Sequence, residues 1–122
     1  MISTAQLIVI VENSPGMSLA LEQVLQVSGY ETCCFSSAEA LLAAPEALAA
    51  NCFVVEAELP GMSGVELRKQ LSMMGILTPV IFMTNDIIPA SVERVLKARF
   101  LHKPFRGYRL VNSIRTLLNA EI

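Results

Sequence analysis

The chain has 122 residues, 53% of them apolar and 16% charged, with nine basic against eleven acidic side chains and a formal charge of −2. That is the length of one domain, with core enough to stand without metal or disulfides and too little charge for disorder. The scattered Lys and Arg give no basic stripe for nucleic acid, and no apolar run nears the roughly 20 residues that cross a bilayer. Without a charged segment leading into an apolar stretch at the N-terminus, a cytosolic location is expected, with no direct nucleic-acid or membrane partner. Three cysteines, Cys33, Cys34 and Cys52, are an odd number. Adjacent Cys33 and Cys34 point to opposite faces of a strand, which suits neither a disulfide framework nor a zinc site, so all three read as apolar filler. Ten of the eleven acids are Glu, and Asp86 is the only Asp.

Leu7 to Val11 is a β-branched run too short for a helix and apolar on both faces, as expected of a strand covered on both sides. Ser14-Pro15 supplies a cap and a first-turn proline, and Met17, Leu21, Val24 and Leu25 follow at helical spacing until Gly29. Thr32 to Phe35 reads as a second strand. Ser36 with Glu39 reads as a capping box opening a short Ala/Leu-rich helix, which Pro45 kinks or ends. Phe53 to Val55 is a third apolar run, and Pro60-Gly61 marks a turn before the helical stripe Val65, Leu67, Leu71 and Met74. Pro79 to Met83 makes the fourth strand, and Ile88, Val92, Val95 and Leu96 the next apolar helix face. A brief Phe100-Leu101 strand, a turn at Lys103-Pro104 and a last amphipathic helix through Leu110, Val111, Ile114, Leu117 and Leu118 complete the chain.

The alternation predicts an α/β protein: a (βα)₅ doubly wound parallel five-stranded sheet with helices on both faces. In such sheets function sits beyond the carboxyl ends of the strands. The residues there are Glu12 and Asn13 after the first strand, Glu56 after the third, Thr84 after the fourth and Lys103 after the fifth. Two carboxylates, an amide, a hydroxyl and an ammonium on one rim suit a hard cation together with an anionic group, and the oxygen ligands suit Mg²⁺.

The sequence resembles the receiver domain of two-component response regulators, the chemotaxis-regulator type. The matching segments are Ile8-Val9-Ile10-Val11-Glu12-Asn13-Ser14-Pro15, Ser28-Gly29-Tyr30-Glu31, Phe53-Val54-Val55-Glu56-Ala57-Glu58-Leu59-Pro60-Gly61-Met62-Ser63-Gly64, Pro79-Val80-Ile81-Phe82-Met83-Thr84 and Phe100-Leu101-His102-Lys103-Pro104-Phe105. The resemblance implies one receiver domain over residues 1–122, a flavodoxin-like sheet in the order 2-1-3-4-5, and a signalling protein in place of an enzyme. In such receivers an Asp ending the third strand takes a phosphoryl group from a histidine kinase, and an acidic pair after the first strand helps to bind Mg²⁺. Transfer rests on alignment and charge neutralisation. The resemblance puts Glu56 at the phosphoacceptor position, Thr84 and Lys103 at the phosphoryl contacts, and Phe100 at the inward-turning switch aromatic. Mg²⁺ would fall to Glu12, Asn13, Glu56 and a main-chain carbonyl near Glu58.

Four departures bear on that chemistry. Glu56 carries its carboxylate about 1.5 Å further than Asp, toward the place of a phosphoryl group and toward Thr84 and Lys103; the unmodified protein would then imitate the phosphorylated state. Glu12-Asn13 in place of two Asp predicts weak Mg²⁺ binding. Asn85 follows Thr84 where the family commonly has a small residue, which narrows access. The Leu96-Lys97-Ala98-Arg99-Phe100 connection is short and lacks the family's glycine, in a surface that receivers commonly use to dimerise or to engage an output partner. Asp86 lies beyond the fourth strand as a turn or helix-capping residue, and His102 as a solvated side chain. Lys103-Pro104 resembles a turn that receivers often build on a cis peptide.

The favoured expectation is therefore an atypical receiver that binds a protein partner (a histidine kinase, an output domain or another signalling protein) without phosphotransfer, with a homodimer as an option. The alternative is a working phosphoacceptor modified by a histidine kinase with Mg²⁺. A flavin- or nucleotide-binding protein is disfavoured, because Glu12-Asn13-Ser14-Pro15-Gly16 opens with a carboxylate where a phosphate cradle needs glycines or hydroxyls.

Overall fold

The computed structural model describes residues 5–119; the chain end at Glu121-Ile122, read in sequence as following the fifth helix, lies outside them. Five parallel strands, β1 (Leu7–Val11), β2 (Glu31–Phe35), β3 (Cys52–Glu56), β4 (Val80–Thr84) and β5 (Arg99–His102), form one sheet in the order β2-β1-β3-β4-β5. Helices α1 (Pro15–Val27), α2 (Ala38–Leu42), α3 (Gly64–Met73), α4 (Ala90–Leu96) and α5 (Gly107–Asn119) alternate with them. The expected fold is thus the observed one.

Period-two alternation divides the core. Ile8, Ile10, Val54, Ile81 and Met83 pack with Leu21 and Leu25 of α1 and Leu110 and Ile114 of α5. The intervening residues Val9, Val11, Phe53, Val55 and Phe82 pack with Leu41 of α2 and Leu67 and Leu71 of α3. Each such aliphatic side chain contributes about 1.5–3 kcal/mol on full burial, so the two apolar faces fix the register. Cys33 and Cys34 serve opposite faces in the same way. Cys33 and Cys34 are half-buried and Cys52 is buried.

Helix ends follow sequence signals with two exceptions. Ser14 caps α1 and Pro15 opens it, and Gly29 leaves it at φ 96°. The capping box expected at Ser36 and Glu39 does not form. Ser37 caps α2 by accepting from the Ala40 amide, and the Glu39 carboxylate instead accepts from the Met62 amide at 3.1 Å. A capping box does form at Ser63 and Glu66, opening α3. Pro45 ends the α2 segment and begins a 3-10 turn, Pro45–Ala49.

The second exception is α4. Its expected apolar face is not a core face: no residue of the helix is buried, and Val95 is 80% exposed. Val92, the other valine of that face, is 37% exposed. At its end Lys97 takes the left-handed conformation, φ 51°, that a glycine would occupy at no steric cost. The Arg68 guanidinium steadies this end by donating to the carbonyls of Leu96 (2.6 Å) and Lys97 (3.2 Å). Asp86 does not cap α4, whose preceding residue is Pro89.

Candidate functional site

Parallel register levels the carboxyl ends of the strands. Val11 lies beside Val55, Glu56 beside Met83, and Thr84 beside His102. Glu12 is held just past β1 by its amide, which donates to Phe35 O at 3.0 Å, and Lys103 just past β5 by its amide, which donates to Thr84 O at 2.7 Å. The Lys103-Pro104 peptide is cis. The start of α3 presses on the end of β3, so that a Cβ added to Gly64 would stand 2.5 Å from Glu56 O.

On this rim Lys103 bridges two carboxylates. Its Nζ lies 2.9 Å from Glu56 Oε1 and 3.0 Å from Glu12 Oε1. Both acids are buried. Burial pulls the Lys103 pKa down, but hydrogen bonds and charge from Glu56 and Glu12 together outweigh it and leave the group above its ordinary value. Of the remaining oxygens, Glu12 Oε2 accepts from the Ser14 amide at 3.3 Å. Glu56 Oε2 is buried and has no hydrogen-bond partner.

The other expected residues divide. Thr84 is buried at the same rim, but its hydroxyl accepts from the Asp86 amide at 3.0 Å. Asn13 is exposed. Glu58 is exposed, and a hydrogen bond shared with Asp86, reinforced by that residue's charge, raises its pKa. Phe100 stacks on Phe82 with centroids 5.0 Å apart and is half-buried. His102 is exposed, with Nε2 3.0 Å from the carbonyl of Asn85. Sequence reasoning gave Glu39 to a capping box and missed that it ties α2 to the loop after β3, because no local signal marks a contact 23 positions away.

The residues present do not fit a Mg²⁺ ion. Lys103 stands between the two carboxylates, and of their four oxygens only Glu56 Oε2 is uncommitted. Among the described residues no three His, Cys, Asp or Glu side chains gather into a metal-binding group, and Mg²⁺ demands a near-octahedral oxygen shell.

The family model for the response regulator receiver domain matches residues 8–115, and the chain belongs to that family. It is 33% identical over 114 residues to the response regulator protein TmoT of Ectopseudomonas mendocina, covering 91% of this chain and 52% of that protein. It is 32% identical over 116 residues to nodulation protein W of Bradyrhizobium diazoefficiens, covering 92% and 51%. The chain therefore spans about half the length of the curated relatives it matches. Among solved structures, FixJ-N superposes with a TM-score of 0.82 at 29% identity over 96% of each chain. The chemotaxis protein CheY4 of Vibrio cholerae superposes at 0.84 over 94% of this chain and 100% of its own, and its 22% identity speaks for the fold alone. Receiver domains are the signalling domains of two-component response regulators. No helix among the described residues is long and apolar enough to cross a membrane.

Proposed function

We propose that this chain is one receiver domain over residues 1–122 that signals in the cytosol by protein contact, without phosphotransfer. Its unmodified form holds the site as a phosphorylated receiver would, with the Glu56 carboxylate at the phosphoryl position. One observation carries this reading: Lys103 Nζ lies 2.9 Å from Glu56 Oε1 and 3.0 Å from Glu12 Oε1. A phosphoacceptor must present a carboxylate oxygen in line with the leaving group, and a misplacement of about 1 Å can cost on the order of a hundredfold in rate. Glu56 has no oxygen to present: Oε1 is held by an ammonium and Oε2 is closed off inside the rim. Freeing Oε1 would strand two buried carboxylates beside each other, which is strongly unfavourable. A protein partner, whether a histidine kinase, an output domain, another signalling protein or a second copy, would then read a state that does not depend on a kinase.

Mass spectrometry of the protein after incubation with Mg²⁺ and a small phosphoryl donor tests the reading. No adduct is expected on the wild type, and a stoichiometric adduct abolished by Glu56→Gln would establish a working phosphoacceptor instead. Glu56→Asp with Asn13→Asp is expected to gain an adduct, because the shorter acid frees Lys103 and the added acid restores the missing pair.

A further inference from the structure

Of nine basic residues scattered along the sequence, four, Arg68, Arg94, Lys97 and Arg99, line one cavity of about 450 Å³. It lies at the amino-terminal ends of β4 and β5, the opposite end of the sheet from Lys103. Arg68 comes from α3, Arg94 from α4, Lys97 from the residue that ends α4, and Arg99 from the first position of β5. Glu93 is the one acid in the lining. Among the described residues both ion pairs belong to Lys103, so none of these four cations has a carboxylate partner.

Three features suit the cleft to a small anion. Arg68 and Arg99 are half-buried, and Arg68 is fixed in place. Two of its five N–H donors go to the carbonyls of Leu96 and Lys97, and three remain for a ligand. Lys97 holds the left-handed conformation, φ 51°, so the chain carries backbone strain, where a glycine would carry none, at a residue that lines the cleft. Half-buried Pro79, Ala98 and Leu117 supply apolar wall, and low-dielectric walls around charges of one sign focus the field on an entering counterion. The volume falls within the roughly 300–1,000 Å³ of ordinary ligand sites. Guanidinium forks match phosphate oxygens two at a time, so several cations in one cleft match several linked phosphates. No aromatic side chain lines the cavity, which leaves a nucleobase without a stacking platform.

We infer that this cleft binds a phosphoanhydride chain, the di- or triphosphate group of a small molecule, with its oxygens on Arg94, Lys97, Arg99 and the free donors of Arg68. The chain of phosphates is the recognised chemistry, whether it comes as the inorganic anion or as the tail of a nucleotide. The site is remote from the rim, so its occupant leaves the Lys103 bridge undisturbed.

The test is calorimetric titration of the whole chain, in Mg²⁺-free buffer, with inorganic triphosphate, ATP, GTP and AMP. Triphosphate, ATP and GTP are expected to bind within about threefold of one another and AMP at least tenfold more weakly, because charge and not the base is read. A preference for the inorganic anion over both nucleotides would also uphold the inference and name the source. Affinity should fall at least tenfold in Arg94→Ala/Arg99→Ala and stay unchanged in Arg115→Ala, outside the cleft. Lys97→Gly separates binding from folding: it should weaken binding while the urea midpoint holds or rises, since the glycine relieves the strain. Amide resonances of Leu77, Lys97 and Arg99 should shift, with Glu56 and Lys103 unmoved. The absence of binding at millimolar ligand, shifts centred on Glu56 and Lys103, or indifference to the Arg94 and Arg99 substitutions would overturn the inference. A tenfold preference for one nucleotide would mark a base-reading site, and a poly-Glu peptide competing at equal charge concentration an acidic-chain surface; either would overturn it too. A phosphate adduct in the mass-spectrometric experiment would remove the proposed function and leave these readouts standing, so the two can fail separately.

Discussion

Lys103 and Glu56, 47 positions apart, meet at 2.9 Å across the carboxyl edge of β4, and the same ammonium reaches Glu12 at the end of β1. This bridge ties three strands at their functional ends and neutralises one of two buried negative charges. Its removal should therefore be felt in stability as well as in signalling.

Replacing Lys103 by Met keeps the length of the side chain and removes the charge, leaving two buried carboxylates without a counterion. A loss of about 3 kcal/mol is expected in urea unfolding at neutral pH, the lower part of the range for breaking a buried ion pair. The pH dependence has a definite sign. The folded pKa of Lys103 is raised, so its contribution is complete below the ordinary value of 10.5 and is lost as pH rises through the higher folded value. The wild type should weaken in that alkaline window, and the gap between it and Lys103→Met should close.

Gly64 sits where α3 begins against the end of β3. A Cβ there would stand 2.5 Å from Glu56 O and 3.0 Å from the Ala57 Cα, and backbone atoms cannot swing aside. Gly64→Ala is expected to cost about 1–3 kcal/mol, as overpacking does, and to shift the amide resonances of Glu56 and Ala57. An unchanged urea midpoint would contradict the packing.

The Glu39 carboxylate accepts from the Met62 amide, and this hydrogen bond lowers its pKa. Because the folded value is depressed, the contribution is present above the ordinary 4.5 and disappears as pH falls through the folded value. Glu39→Gln should thus lower the urea midpoint at pH 7 and make no difference well below that range, with faster amide exchange at Met62 marking the released loop.

Burial, with the nearby Glu22 carboxylate adding to it, pushes the Cys34 thiol up to about 12. Thiolate is the reactive form, so alkylation of Cys34 by iodoacetamide at pH 8 should run well over tenfold slower than that of a free cysteine peptide, and unfolding in urea should restore the ordinary rate.

The sequence by itself determined the architecture. Apolar runs of about five residues alternate with helical stripes in an order that leaves a parallel, doubly covered sheet as the one way to bury both faces, and that burial outweighs any single local preference. It also determined which residues reach the rim, because strand ends are legible from where the apolar runs stop at Glu12, Glu56 and Thr84. The tertiary structure alone decided what those residues do there. Whether Lys103 turns to Glu56, to Glu12 or to solvent depends on distances set by sheet register, by the pressure of Gly64 on β3 and by the turn at Pro104. It likewise sent Glu39 to Met62 in place of its own helix and left α4 without a buried face. Local pattern specifies which groups a chain carries, whereas their partners come from segments tens of residues away, whose approach only the packed sheet defines.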